Sequence, residues 1–314
     1  MAPKSINPRM MSLRILLFWH LWLPTGEIWA GEVENVLHHA TIAPQDFGGD
    51  SLTYQIMEGP RGHIYIANEG GVFKHDGDVW LALPSDGRAP LATSIDFDRQ
   101  GRLWVTGLKT IGYYEPTPSG EYDYRDLTSQ ANAGEEDNEL GTFWKVKAMD
   151  DHVFLITTDH VLRWQRWQFD DERRILPSWY RGTLYIHSRG SGLFQLSGDR
   201  FEQVQPSSPE IASGIIGIAE TPGAGPIYAT VSNGCFYREN QKWERFTADA
   251  YPFRIFHVAR LKDGRFLLST NDAGTLLLNP STGRITGRIP TDGKGVYSSF
   301  EDSSGSIWVA TEKA

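Results

Sequence analysis

The chain has 314 residues, of which 40% are hydrophobic and 12% aromatic, with 32 glycines and a formal net charge of −9. A chain this long buries a sizeable core without cross-links, and its single cysteine, Cys235, has no internal disulfide partner. The acidic balance and the lack of a basic stripe exclude nucleic acid and an anionic membrane surface as natural partners.

The first segment reads as an export signal. Lys4, Arg9 and Arg14 precede an apolar run at 15–24, and small residues follow at Ala30 and Gly31. That run is half the length of a spanning helix and matches a signal-peptide core. The expected organisation is therefore a signal peptide at 1–30 and a mature domain at 31–314, with an uncleaved anchor as the other reading of the segment. His38 and His39 are adjacent, so on a strand they face opposite ways and make a poor metal pair.

From there on, one short pattern recurs: Gly, any residue, aliphatic, aromatic, aliphatic. It appears as Gly62-His-Ile-Tyr-Ile, Gly101-Arg-Leu-Trp-Val, Gly182-Thr-Leu-Tyr-Ile, Gly225-Pro-Ile-Tyr-Ala, Gly264-Arg-Phe-Leu-Leu and Gly305-Ser-Ile-Trp-Val. A seventh copy, Asp151-His-Val-Phe-Leu, lacks the glycine. The copies start at 62, 101, 151, 182, 225, 264 and 305, an average spacing of about forty, which is the period of a propeller blade. A second glycine tracks the first at Gly71, Gly112, Gly192, Gly234 and Gly274, with His160 in its place in the third copy.

The first copy predicts four strands, at 53–57, 63–67, 72–75 and 79–83, joined by turns rich in Gly, Asp and Pro. The second strand is apolar on both faces, with Ile64 and Ile66 pointing one way and Tyr65 the other. A meander with two apolar faces buries both by radial stacking. The predicted fold class is therefore all-β: a β-propeller of about seven four-stranded blades, six full ones from about 52 to 289 and the start of a seventh at 296–314. The aromatics at 65, 104, 154, 185, 228 and 308 are expected between blades, and Cys235 is expected as a small apolar strand residue. An acidic stretch at 128–142 reads as a surface insertion between the second and third blades. The Asp170-Asp171 pair sits beside Glu172, Arg173 and Arg174 and reads as a solvated turn.

Two stretches carry a family resemblance. Asp98-Arg-Gln-Gly-Arg-Leu-Trp-Val-Thr106 and Glu301-Asp-Ser-Ser-Gly-Ser-Ile-Trp-Val-Ala-Thr311, together with Glu69-Gly-Gly-Val-Phe-Lys-His-Asp-Gly77, resemble the two-component regulator propeller repeat. The resemblance implies a periplasmic or extracellular sensor module that works with downstream signalling domains. The segment from Arg102 to Pro116 is also similar to a blade of the streptogramin lyases, metal-dependent propeller enzymes. No catalytic residue carries over from them.

No metalloprotease helix motif, phosphate loop, cysteine pair or nucleophile elbow occurs, and no cofactor is expected. A ligand site is sought where propeller geometry converges, on the loops between second and third strands. These carry Asn68 and Glu69, Lys109, and Asp159 with His160. Further round the ring come Arg189, Asn233, and Asn271 with Asp272. The sequence expectation is an exported ligand-sensing propeller that binds a small molecule or oligosaccharide. An exported metal-dependent propeller enzyme and a protein-binding scaffold are the alternatives.

Overall fold

The turn between the first two strands of a repeat needs a left-handed residue, and glycine supplies it: Gly101 has φ +80° and Gly305 φ +91°. The second repeat glycine answers a different need. A Cβ on Gly274 would lie 2.3 Å from the carbonyl oxygen of Ile289 on the neighbouring strand. In a computed structural model these turns fold each repeat into a meander. The structure describes residues 40–85, 91–131, 142–149, 152–164, 166–170, 175–221, 225–240, 242–247, 253–291 and 295–312.

A short helix, α1 (Pro44–Phe47), precedes the first sheet: β1 (Thr53–Glu58), β2 (Ile64–Asn68), β3 (Gly71–His75) and β4 (Trp80–Ala82). The second sheet is β5 (Ser94–Phe97), β6 (Leu103–Gly107), β7 (Thr110–Pro116) and β8 (Tyr122–Asp126), followed by α2 (Thr128–Ala131). The third is β9 (Lys145–Met149), β10 (His152–Ile156), β11 (His160–Arg163) and β12 (Arg166–Asp170). The fourth is β13 (Ile175–Tyr180), β14 (Thr183–Ser188), β15 (Gly192–Ser197) and β16 (Arg200–Pro206). The fifth is β17 (Ile215–Thr221), β18 (Gly225–Thr230), β19 (Cys235–Glu239) and β20 (Lys242–Arg245). The sixth is β21 (Ile255–Arg260), β22 (Phe266–Thr270), β23 (Thr275–Leu278) and β24 (Ile285–Ile289), and β25 (Val296–Glu301) pairs with β26 (Ile307–Thr311). Every sheet is antiparallel with its strands in sequence order.

The fold is an all-β propeller. Its blade count corrects the expectation of about seven four-stranded blades: the described residues form six four-stranded sheets and one two-stranded sheet. The physical reason is that only the first two strands of the seventh repeat lie among the described residues. The two-stranded sheet still occupies a place in the ring. β25 packs on β21 and on β1, and Leu52 bridges to Glu312. The proposed export signal, His38–His39, most of the acidic insertion and the whole 171–174 turn lie outside the described residues.

The core is divided among the seams. Tyr65 and Ala67 pack with Ile95, Leu103 and Val105 between the first and second sheets. Ile64 and Ile66, on the other face of β2, pack with Ala310 and Trp308 of the two-stranded sheet. This is the alternation that the sequence predicts. Cys235 is fully buried between the fifth and sixth sheets, and burial pushes its thiol up to about 12.

Candidate functional site at the channel mouth

The first strand of each sheet lies innermost, so one of its edges faces the central channel without a partner strand. An unpaired strand edge must be satisfied some other way. At β5, β9 and β25 side chains from the preceding inner strand do it. Gln55 on β1 donates from Nε2 to the carbonyl of Ile95 at 2.8 Å and accepts the Ile95 N–H at 3.2 Å. Ser94 Oγ on β5 accepts the N–H of Val146 at 3.2 Å. His257 Nδ1 on β21 accepts the N–H of Ser299 at 3.3 Å. Asp96, one step further along β5, accepts the Ala148 N–H at 2.9 Å and pairs with Lys147 Nζ at 2.9 Å.

Gln55, Ser94 and His257 occupy one position of the repeat, each opposite the residue two beyond the central residue of the second strand. In the third sheet that position is Lys145, opposite Ile156. The strand it faces, β13, presents Pro177 there, opposite Ile186, and proline has no N–H to offer. Among the described residues the Lys145 side chain makes no hydrogen bond or ion pair. Burial lowers its ammonium to about 8. His257 is held down to about 3, by burial first and by the charge of Lys145 second. Water still reaches part of both residues, as it does for groups on the wall of a narrow channel.

Just above this layer, four inner strands contain a β-bulge; in β17 the pairing skips Ile216. Pairing skips Tyr54 in β1, Phe256 in β21 and Tyr297 in β25. A bulge leaves its extra residue outside the ladder and re-aims its side chain. β21, β25 and β1 are neighbours around the ring, and their extra residues form an aromatic row. Phe256 and Tyr297 stack with ring centroids 5.4 Å apart and planes 4° apart. Tyr297 and Tyr54 are 6.0 Å apart at 60°. All three rings stay half-buried. The Arg254 guanidinium lies 5.9 Å from the Phe256 ring. Burial raises the phenol pKa of Tyr54, and Glu69 adds to it. Tyr297 is raised by burial, Glu312 and Glu69 in that order. On the other side of the channel, Trp144 is 45% exposed immediately before Lys145, and Leu108 is 56% exposed on the loop after β6.

The structure sorts the sequence-predicted residues. Glu69 and Asn271 lie at the aromatic row, with Asp272 exposed beside them. The three asparagines shape the mouth. Asn68 is 0% exposed; its oxygen accepts the N–H groups of Asp50 and Gly70, and its amide donates to the carbonyls of Asp50 and Leu52. It is thereby corrected from a lining residue to a loop clamp, because its polar atoms are already occupied. Asn233 Nδ2 donates to the carbonyls of Pro209 and Glu210, and Asn271 Oδ1 accepts the Arg254 N–H at 2.7 Å. Asp159 and His160 bond each other and Thr157 within one loop. Lys109, at φ +55°, and Arg189 are exposed on the loops of the second and fourth sheets. Sequence reasoning named the loops beside this row and did not name Tyr54, Phe256 and Tyr297. Their signal was an aromatic opening the inner strand in three copies.

A second cleft of about 350 Å³ lies between Pro84, Ser85 and β8, on the outer strands of the first two sheets. Among the described residues no group of three or more His, Cys, Asp or Glu is placed to hold a metal ion. No helix among them is long and apolar enough to cross a membrane.

The ring of sheets and its channel site define a β-propeller with an aromatic mouth. Its fold is similar to that of the extracellular domain of the hybrid two-component system BT3049 of B. thetaiotaomicron (TM-score 0.65, 14% identity, 87% of this chain and 40% of that one). It is likewise similar to that of BT4673 of the same organism (0.63, 14%, 84% and 37%). Virginiamycin B lyase from Staphylococcus aureus is also similar (0.62, 11%, 84% and 92%). The chain spans about two fifths of the length of the two sensor domains. At these identities the likeness is one of fold. No family model and no curated protein matches the sequence.

Proposed function

We propose that this chain is an exported ligand-binding propeller of a signal-transduction protein, and that it reads its ligand at the channel mouth. The observation that carries the reading is the row Phe256, Tyr297 and Tyr54, built from three residues that the strand ladders leave out. Half-exposed rings at a concave mouth suit a ligand with a flat or ring-shaped face, such as a sugar or an aromatic body. The sensor-like repeats at 98–106 and 301–311, the apolar run at 15–24 and the fold shared with two-component ectodomains support the signalling context. The test is a thermal-shift screen with oligosaccharides and small aromatic compounds, repeated on Tyr297→Ala and Phe256→Ala. Binding to the native chain with about tenfold weakening in each variant is the expected result. Equal binding by native and variant protein overturns the reading.

An enzymatic reading has one observation in its favour: the likeness to virginiamycin B lyase extends over 92% of that enzyme's chain. Turnover of virginiamycin B that appears only with added divalent metal would establish it in place of the sensor.

A further inference from the structure

We infer that the channel beneath the aromatic row is an anion-binding subsite, in which Lys145 Nζ and His257 Nε2–H together hold a carboxylate, so that the ligand is an acid. This rests on the mouth reading only for the body of the ligand; the subsite stands on its own geometry.

Four observations lead there. First, Lys145 stands at a latch position without forming a latch, as Leu176 and Ser298 also do, but it alone of these three carries a charge. Its counterparts Gln55, Ser94 and His257 each accept a neighbouring N–H, but a lysine accepts nothing and Pro177 on the facing strand donates nothing. Second, Lys145 lacks a hydrogen bond or counter-ion among the described residues. A desolvated ammonium without a partner is costly, and the channel's own carboxylate is occupied, since Asp96 is bound by Lys147 and the Ala148 N–H. The remaining nearby carboxylates, Glu69 and Glu312, act on Tyr54 and Tyr297 at the mouth.

Third, His257 is a donor toward the channel. Its Nδ1 accepts the Ser299 N–H, so the proton of the neutral ring is on Nε2, and Nε2 makes no hydrogen bond among the described residues. The Lys145 charge is near enough to act on this ring. Two donors therefore share one section of the channel, and an oxyanion is the group that satisfies both. Fourth, each donor directly follows an aromatic at the mouth, Trp144 before Lys145 and Phe256 before His257. A ring held at the mouth thus places its acid group at the level of the two donors.

The test separates the subsite from the mouth. The Lys145 ammonium is followed by NMR in protein carrying nitrogen-15 lysine, its signal assigned by its loss in Lys145→Met. Acetate, which has no ring, is expected to raise the Lys145 pKa because a bound carboxylate favours the charged form. Benzoate and glucuronate are expected to bind at least about tenfold more tightly than benzyl alcohol and glucose, and Lys145→Met is expected to abolish that preference while leaving the neutral probes unchanged. Lys145→Gln, an uncharged polar variant, checks that the loss follows the charge. A Lys145 titration unmoved by saturating acetate, or acids binding no better than their neutral counterparts, overturns the subsite. If the neutral rings still depend on Tyr297, the mouth reading survives that failure. If acetate moves Lys145 while Tyr297→Ala changes nothing, the mouth reading fails and the subsite stands.

Discussion

Asp98 and Trp104 show how one residue pair writes the repeat. Trp104 Nε1 donates to Asp98 Oδ2 at 2.8 Å, while Asp98 Oδ1 accepts the N–H groups of Gln100 and Arg102. The same arrangement recurs in the last sheet, where Trp308 Nε1 donates to Asp302 Oδ2 at 2.7 Å. Burial acts to raise the Asp302 carboxyl, but the hydrogen bonds from Ser304, Trp308 and Ser306 outweigh it and leave the pKa lowered. In the sixth repeat both positions change together: Leu261 and Leu267 are buried in one cluster. In the first, Gly59 stands where a Cβ would lie 2.5 Å from the Tyr65 ring. The sequence makes the aspartate legible as a turn residue. Its second task is hidden, because the partner lies beyond the turn and several copies lack the pair. Asp98→Ala leaves a buried indole N–H unpaired and is expected to cost about 2 kcal/mol in a urea melt. Asp98→Leu combined with Trp104→Leu, which copies the sixth repeat, is expected to cost less than the sum of its singles. Additive losses would show that the two residues do not act as a unit.

At the scale of the strand, β1 and β21 do two jobs with neighbouring residues: one side chain closes the edge of the next strand and the bulged one next to it faces the mouth. Alternation alone places Tyr54 and Ile56 on one face. The skipped pairing at Tyr54 breaks that alternation, and no residue type announces a bulge in advance. For the same reason the loops between second and third strands were readable from the turns while the aromatic row went unread. The latches make their own prediction. Gln55→Ala removes both partners of Ile95 at the channel edge. Water in the channel replaces part of that loss, so the expected cost is about 1 kcal/mol. The discriminating readout is hydrogen exchange, with the Ile95 amide exchanging faster and the ladder amides of β6 unchanged. An unaltered Ile95 rate would mean that the latch is ornamental.

For the whole molecule, burial is distributed among seams that each join two sheets, and the sequence carried this clearly because both faces of every second strand are apolar. Charge is less legible. His187 is 1% exposed with neither ring nitrogen hydrogen-bonded, and burial lowers its pKa to about 4. His257 lies lower still, at about 3. Both are neutral in the fold, whereas in the unfolded chain they take up protons near pH 6.5. The unfolded state therefore binds more protons as pH falls from about 6.5 toward 4, and stability declines over that window. Denaturation midpoints at pH 7 and pH 4.5 should show this drop, and His187→Leu should reduce it. An equal pH dependence in native and variant protein would remove His187 from the account.

The aromatic row has a consequence for how such a protein changes over time. Tyr54, Phe256 and Tyr297 sit outside the pairing register, so the strands on either side keep their alignment whatever side chain stands there. Recognition at the mouth can thus diversify by single replacements while the scaffold is inherited intact. Relatives with the same ring of sheets are then free to differ most in the residues that the ladders skip.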